Sequence, residues 1–180
     1  MAKKNNTKTS KMLMYLLAAK KDFEAVFPAP GGFVKDSLFS SYGEFKNMVY
    51  HLRRQKWVEI VKKNNERFIK LTRHGEIEAL LAKARLPSAK GGRWDGKWRI
   101  VMFDIPQESS PKRDLLRRLL KENGFLKLQG SVFISPSPLN REALTYLRES
   151  ELINYVRIIK AEEIDDDSDL RKRFQLPAFS

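Results

Sequence analysis

Trp94-Asp95-Gly96-Lys97-Trp98-Arg99-Ile100-Val101-Met102-Phe103-Asp104-Ile105-Pro106 reads as a lead-in loop, an apolar strand, a carboxylate at the strand's C-terminal end and a proline that stops it. Working downstream, Ile105–Ser110 is a loop. A helix then starts near Pro111, with Ser109 or Ser110 as its cap, and carries Leu115, Leu116, Leu119 and Leu120 on its buried side. It ends at Asn123-Gly124, a C-cap signal. Phe125–Gln129 and Ser131–Ser135 follow as two strands parted only by Gly130, a bulge or sharp bend. Pro136 and Pro138 close that run, Asn140 caps a helix over Arg141–Glu149, and Tyr155–Lys160 supplies a last strand. The order is βαββαβ, the ferredoxin-like motif. It leaves one sheet face to be covered, and a second copy of the chain is the expected cover.

Upstream, Pro87-Ser88-Ala89-Lys90-Gly91-Gly92 has the composition of a linker. Before it, Thr9 and Ser10 are placed to cap a helix from Lys11 to about Glu24, with Leu13, Leu16 and Leu17 inward. Pro28, Pro30, Gly31 and Gly32 break it, and a short helix is expected around Lys35–Phe39. Ser40-Ser41-Tyr42-Gly43 reads as a turn. From Glu44 the helical period is strong: Phe45, Met48, Val49 and Leu52 form one apolar stripe. The other side presents Lys46, Asn47, Tyr50, His51, Arg53 and Arg54. Trp57–Val61 and Arg67–Thr72 then alternate as strands about Lys62-Lys63-Asn64-Asn65-Glu66, where the Asn pair tolerates left-handed turns. Thr72–Ala84 resumes a helix.

Helix, short helix, amphipathic helix, hairpin, helix is the order of a winged helix-turn-helix. In that architecture the third helix enters the major groove. Lys46, Asn47, Tyr50, His51 and Arg54 sit where base or phosphate contacts are made, and Arg53 suits a phosphate. Lys62, Lys63, Asn64, Asn65 and Arg67 let the hairpin follow the backbone or a minor groove. Arg and Lys bond guanine, and Asn bonds adenine.

Charge supports a polyanionic partner. Residues 1–90 hold 19 Lys/Arg against 8 Asp/Glu in a chain of net charge +13, which points to double-stranded DNA before other partners. At 42% hydrophobic there is material for a core. No apolar run approaches the ~18 residues of a membrane span, and the polar N-terminus has no signal-peptide stretch, so the cytoplasm is expected. With no cysteine and two histidines, His51 and His74, thiolate metal sites are excluded and a histidine-rich one is unsupported. No phosphate-binding glycine loop is present, since neither Gly31-Gly32 nor Gly91-Gly92 has the required sequel. No cofactor is expected.

The residues of Trp94–Asp104 and Gly124–Ser135 resemble the central domain of the PaaX-type transcriptional repressors of phenylacetic acid catabolism. That domain is similar to the small endonuclease subunit of the CRISPR adaptation machinery. The resemblance implies a homodimeric, DNA-binding repressor, shortened at its C-terminus relative to the family, with any small-molecule effector unidentified. The CRISPR-associated side implies an alternative, a metal-dependent nuclease. In it Asp104 is the metal ligand, and Ser131 and Phe133 match a Ser-x-Phe of the third strand. One carboxylate per copy is a thin metal site. The other readings of Asp104 are a turn role at the Ile105-Pro106 bend and a salt bridge to Arg113 or Arg117. A sequence-independent nucleic-acid-binding adaptor is a further alternative.

The expectation is therefore an α+β chain: a winged helix-turn-helix over 1–86, a linker over 87–97, and a ferredoxin-like dimerisation domain over 98–160. A tail over 161–180 runs from an acidic stretch, expected to be solvated, to an apolar end that can dock as a strand or across a dimer.

Overall fold

Thr7 opens the first helix, α1 (Lys8–Ala19): its hydroxyl accepts the backbone N–H of Ser10 at 3.2 Å. The cap thus lies earlier than Thr9 and Ser10, which fall inside the first turn. Met12, Leu13 and Leu16 are buried, with Leu17 packed beside them. The computed structural model describes residues 7–19, 25–26, 38–86 and 94–177. The end of the long helix expected to reach Glu24, the Pro28–Gly32 break, Lys35–Ser37 of the short helix and residues 87–93 of the linker lie outside these. Leu38 and Phe39 belong to no helix. A two-residue strand, β1 (Ala25–Val26), stands where no strand was expected and pairs with Phe68 and Ile69.

Helix α2 (Tyr42–Arg54) begins two residues before Glu44, because Ser41 is its N-cap rather than part of a turn. Phe45, Val49 and Leu52 are buried and Met48 is half-buried; each buried apolar side chain is worth ~1.5–3 kcal/mol against exposure. The helix ends in a Schellman arrangement. Trp57 N–H bonds Leu52 O and Lys56 N–H bonds Arg53 O, both at 2.9 Å, with Lys56 at φ +58°. Strands β2 (Val58–Lys63) and β3 (Glu66–Leu71) pair antiparallel through a two-residue tip, Asn64-Asn65, both left-handed at φ +49° and +64°. The strands thus reach further into the expected polar tip than the alternation indicated. Thr72 caps α3 (Arg73–Ala84) by accepting Gly75 N–H at 3.1 Å while donating its hydroxyl to Lys56 O at 2.6 Å. The sheet order is β1-β3-β2.

The chain divides into Met1–Ala84 and Arg85–Ser180. In the second unit β4 (Trp98–Phe103), α4 (Ser110–Glu122), β5 (Leu126–Gln129), β6 (Val132–Ser135), α5 (Arg141–Glu149) and β7 (Val156–Ala161) run βαββαβ, in a four-stranded antiparallel sheet of order β5-β6-β4-β7. Ser109 stands before α4 but makes no side-chain cap bond; a 3-10 turn over Gln107–Ser109 leads in instead. Gly124, at φ +81°, supplies the left-handed stop after α4, and the register shift in the β5–β6 pair falls between Lys127 and Gln129. The bulge therefore involves Leu128, while Gly130 lies in the turn that joins the two strands. Asn140 caps α5 as expected, accepting Ala143 N–H at 2.6 Å.

Alternation along β4 divides the core. Val101, Phe103, Phe133 and Ser135 are buried on one face, and Phe103 stacks on Phe133 at 6.0 Å. The crossovers through α4 and α5 cover it, burying Leu116, Leu119, Leu120, Ala143 and Leu147. The other face carries Trp98, Ile100 and Ile134. Here the chain's own C-terminal segment docks as a helix, α6 (Ser168–Phe174), with Ile164, Leu170, Phe174 and Leu176 packed against these residues. The tail is neither an added strand nor wholly solvated. A short helix with two apolar side chains, Leu170 and Phe174, flanked by Ile164 and Leu176, finds an indole-rich sheet end to cover, and Asp167 in the acidic stretch is buried.

Candidate nucleic-acid interface

Side chains around its first turns hold α2 in place. Ser41 Oγ accepts Glu44 N–H at 3.2 Å, and Glu44 in return accepts the N–H and hydroxyl of Ser40, each at 3.0 Å. Lys8 at the start of α1 bonds the same carboxylate. The Lys8 hydrogen bond, followed by the two from Ser40, pulls the Glu44 carboxyl down to about 2. Thr9 adds a contact to Met48 Sδ at 3.6 Å. With Phe45 wedged edge-on against Phe39, 5.4 Å between centroids, the roll of α2 about its axis is set.

That roll decides which side chains meet solvent. Lys46, Asn47, Tyr50, His51, Arg53 and Arg54 are all exposed, and Tyr50 is 57% exposed, well above what a core aromatic shows. Tyr50 and His51 meet edge-to-face at 5.9 Å. On the hairpin Lys62, Asn64, Asn65 and Arg67 are exposed, and Lys63 closes β2. Such a surface, one helix face of amide, phenol, imidazole and guanidinium groups with a basic hairpin on the same unit, can bond base edges and phosphates. His74 pairs with Glu78 at 3.8 Å and meets Trp57 edge-on.

The second unit brings Asp104 and Ser131 together, but not Phe133. Asp104 and Ser131 line an open pocket of about 440 Å³ with Met102, Val132, Asn154, Tyr155 and Arg157. The backbone supports it: Asp104 N–H bonds Tyr155 O at 3.0 Å, and Phe103 N–H bonds Ser131 O at 3.1 Å. Phe133 is fully buried on the opposite sheet face, one register step away, so it is a core residue and reaches nothing in the pocket. Of the other readings of Asp104, the salt bridge to Arg113 or Arg117 is not made among the described residues. Arg113 bonds Pro106 O at 3.3 Å and Arg117 pairs with Asp114 at 3.1 Å. Among the described residues no three acidic or histidine side chains gather as a metal site requires. Asn154, Tyr155 and Arg157 escaped the sequence reading. Their signal was the register that sets Arg157 opposite Met102, which one strand's alternation alone does not reveal.

Among the described residues no helix is long and apolar enough to cross a membrane. The chain matches no curated protein. The family model of the PaaX protein central Cas2-like domain matches residues 91–172, a span that takes in the whole βαββαβ sheet and most of α6. By these residues the chain carries a Cas2-like domain matching the central domain of the PaaX protein, which supports a PaaX-type family.

Proposed function

We propose that the protein is a sequence-specific DNA-binding transcriptional regulator, a homodimeric PaaX-like repressor acting in the cytoplasm without a cofactor and without enzymatic activity. In this reading α1, α2, the β2–β3 hairpin and α3 are a winged helix-turn-helix, and α2 is the helix that enters the major groove. Asn47, Tyr50 and His51 meet base edges, Lys46, Arg53 and Arg54 meet bases or phosphates, and Lys62, Lys63, Asn64, Asn65 and Arg67 follow the backbone. The ferredoxin-like unit dimerises through the part of its sheet that α6 leaves uncovered, where Met102 and Val132 are half-buried and Ile159 is exposed. Two copies then suit a palindromic site.

The observation that carries the reading is the split of α2: Phe45, Val49 and Leu52 are buried while all six polar residues of the opposite side face solvent, in a half that holds 19 Lys/Arg against 8 Asp/Glu. A gel-shift titration on the gene's own upstream DNA, against scrambled competitor and with or without Mg²⁺ or Mn²⁺, tests it. Retention of the shift against scrambled DNA, without cleavage, is the expected result. Equal binding to both DNAs would turn the reading into a sequence-independent adaptor. Metal-dependent fragments that vanish in Asp104→Ala would turn it into a nuclease.

A further inference from the structure

Helix α4 carries five cations, Lys112, Arg113, Arg117, Arg118 and Lys121, against two acids, Asp114 and Glu122. Arg113, Arg117 and Lys121 recur every fourth residue and form one row along the helix. Arg118 lies beside that row, and Leu116, Leu119 and Leu120 are buried on a stripe that flanks its other edge. Several helical cations elsewhere pair with acids one turn away: Arg73 with Glu76, Arg171 with Asp167 and Lys172 with Asp169. On α4 only Arg117 has such a partner, Asp114. Among the described residues Arg113, Arg118 and Lys121 make no ion pair.

Like charges at this spacing repel, and a helix kept merely soluble would intersperse acids, as α5 does with Glu142 beside Arg141 and Glu149 beside Arg148. The helix also has the geometry of a receptor. Arg113 and Arg117 are half-buried and anchored, the first to Pro106 O and the second to Asp114, so they lose less side-chain freedom on meeting an anion than free chains would. Arg118 and Lys121 are exposed at their side.

We propose that the α4 row is a second phosphate-binding surface, which holds nucleic-acid backbone through Arg113, Arg117, Arg118 and Lys121 independently of α2 and without reading sequence. The inference goes beyond the proposed regulator and rests on it only for the identity of the polyanion. The net charge of +13 favours a nucleic acid over an acidic protein surface.

The test uses the full chain and two duplexes, the upstream DNA and a scrambled one of equal length, with affinity measured by fluorescence anisotropy from low to moderate salt. The compared variants are Arg113→Gln/Arg117→Gln/Arg118→Gln/Lys121→Gln and a milder Arg118→Gln/Lys121→Gln, which touches only exposed positions should the fourfold change disturb folding. Removing one phosphate-neutralising cation flattens the dependence of log affinity on log salt by ~0.9. The expected result is a slope reduced by about 2 in the double variant and more in the fourfold one, equally on both duplexes, with their affinity ratio unchanged. Slopes equal to the parent's, with the parent still preferring upstream DNA, would overturn the α4 surface and leave the regulator standing. Failure of the parent to bind either duplex would overturn both.

Discussion

Trp98, the first residue of β4, donates its indole N–H to the carboxylate of Asp167 at 2.9 Å across 69 residues of sequence. The other carboxylate oxygen accepts Arg171 Nε at 2.7 Å, and the Arg171 guanidinium lies 4.6 Å over the Trp94 ring. Arg171 also bonds Pro177 O at 3.0 Å. Two tryptophans from the start of the sheet unit and two charges from its end thus form one clasp that holds α6 on the sheet.

Removing the acceptor leaves a buried indole N–H without its partner and takes the carboxylate away from Arg171. Asp167→Ala is expected to lower stability by ~2 kcal/mol, while Asp167→Asn, which keeps an acceptor for Trp98, costs less. Chemical denaturation followed by tryptophan fluorescence checks the order of the two, and equal losses would contradict the separate part played by Trp98.

The same clasp responds to acid. The Arg171 hydrogen bond, with that of Trp98, holds Asp167 below the ordinary aspartate range. A carboxyl whose folded pKa is depressed stabilises the fold fully above its unfolded value, and that stability fades as pH falls through the folded one. Docking of α6 is therefore expected to be intact at pH 6 and to weaken below about pH 4. The change in tryptophan emission should be absent from Asp167→Asn over the same range.

Gly75 lies in the first turn of α3 against the carbonyl of Trp57, where an added Cβ would come within 1.8 Å of the oxygen. That carbonyl also accepts Thr72 N–H at 3.0 Å, so it has no room to yield. Gly75→Ala is expected to cost at least ~2 kcal/mol despite the better helix propensity of alanine, read as a lowered melting temperature.

Lys56 takes the left-handed position that ends α2, at φ +58°, a place where glycine carries no Cβ penalty. Lys56→Gly is expected to raise stability by ~0.5–1 kcal/mol, since the contacts that bind Lys56 to Arg53 and Thr72 use only its backbone.

On the proposed DNA-reading face, two kinds of loss are expected. Asn47→Ala should lower affinity for the specific duplex by ~1–3 kcal/mol while leaving scrambled DNA little changed. Arg53→Ala should weaken both and reduce the salt slope by about 1. Anisotropy titrations on both duplexes separate these outcomes.

Much of this protein follows from local chemistry. The 3.6 period of Phe45, Val49 and Leu52, the Asn64-Asn65 tip, the Asn140 cap, the Asn123-Gly124 stop and the βαββαβ order are all legible in the chain, because backbone preference and apolar spacing act over a few residues. The polar face of α2 was legible for the same reason, being the complement of its apolar stripe. What alternation along single strands left open was settled by tertiary contact. The burial of Phe133 away from Asp104 depends on which sheet face α4 and α5 cover. The gathering of Asp104, Ser131 and Arg157 depends on the register of three strands. The docking of the C-terminal segment needs Trp94 and Trp98 brought to meet Asp167 and Arg171. An acidic run read alone is a solvated one, and only a partner far away in sequence and adjacent in space makes burial of its carboxylate favourable.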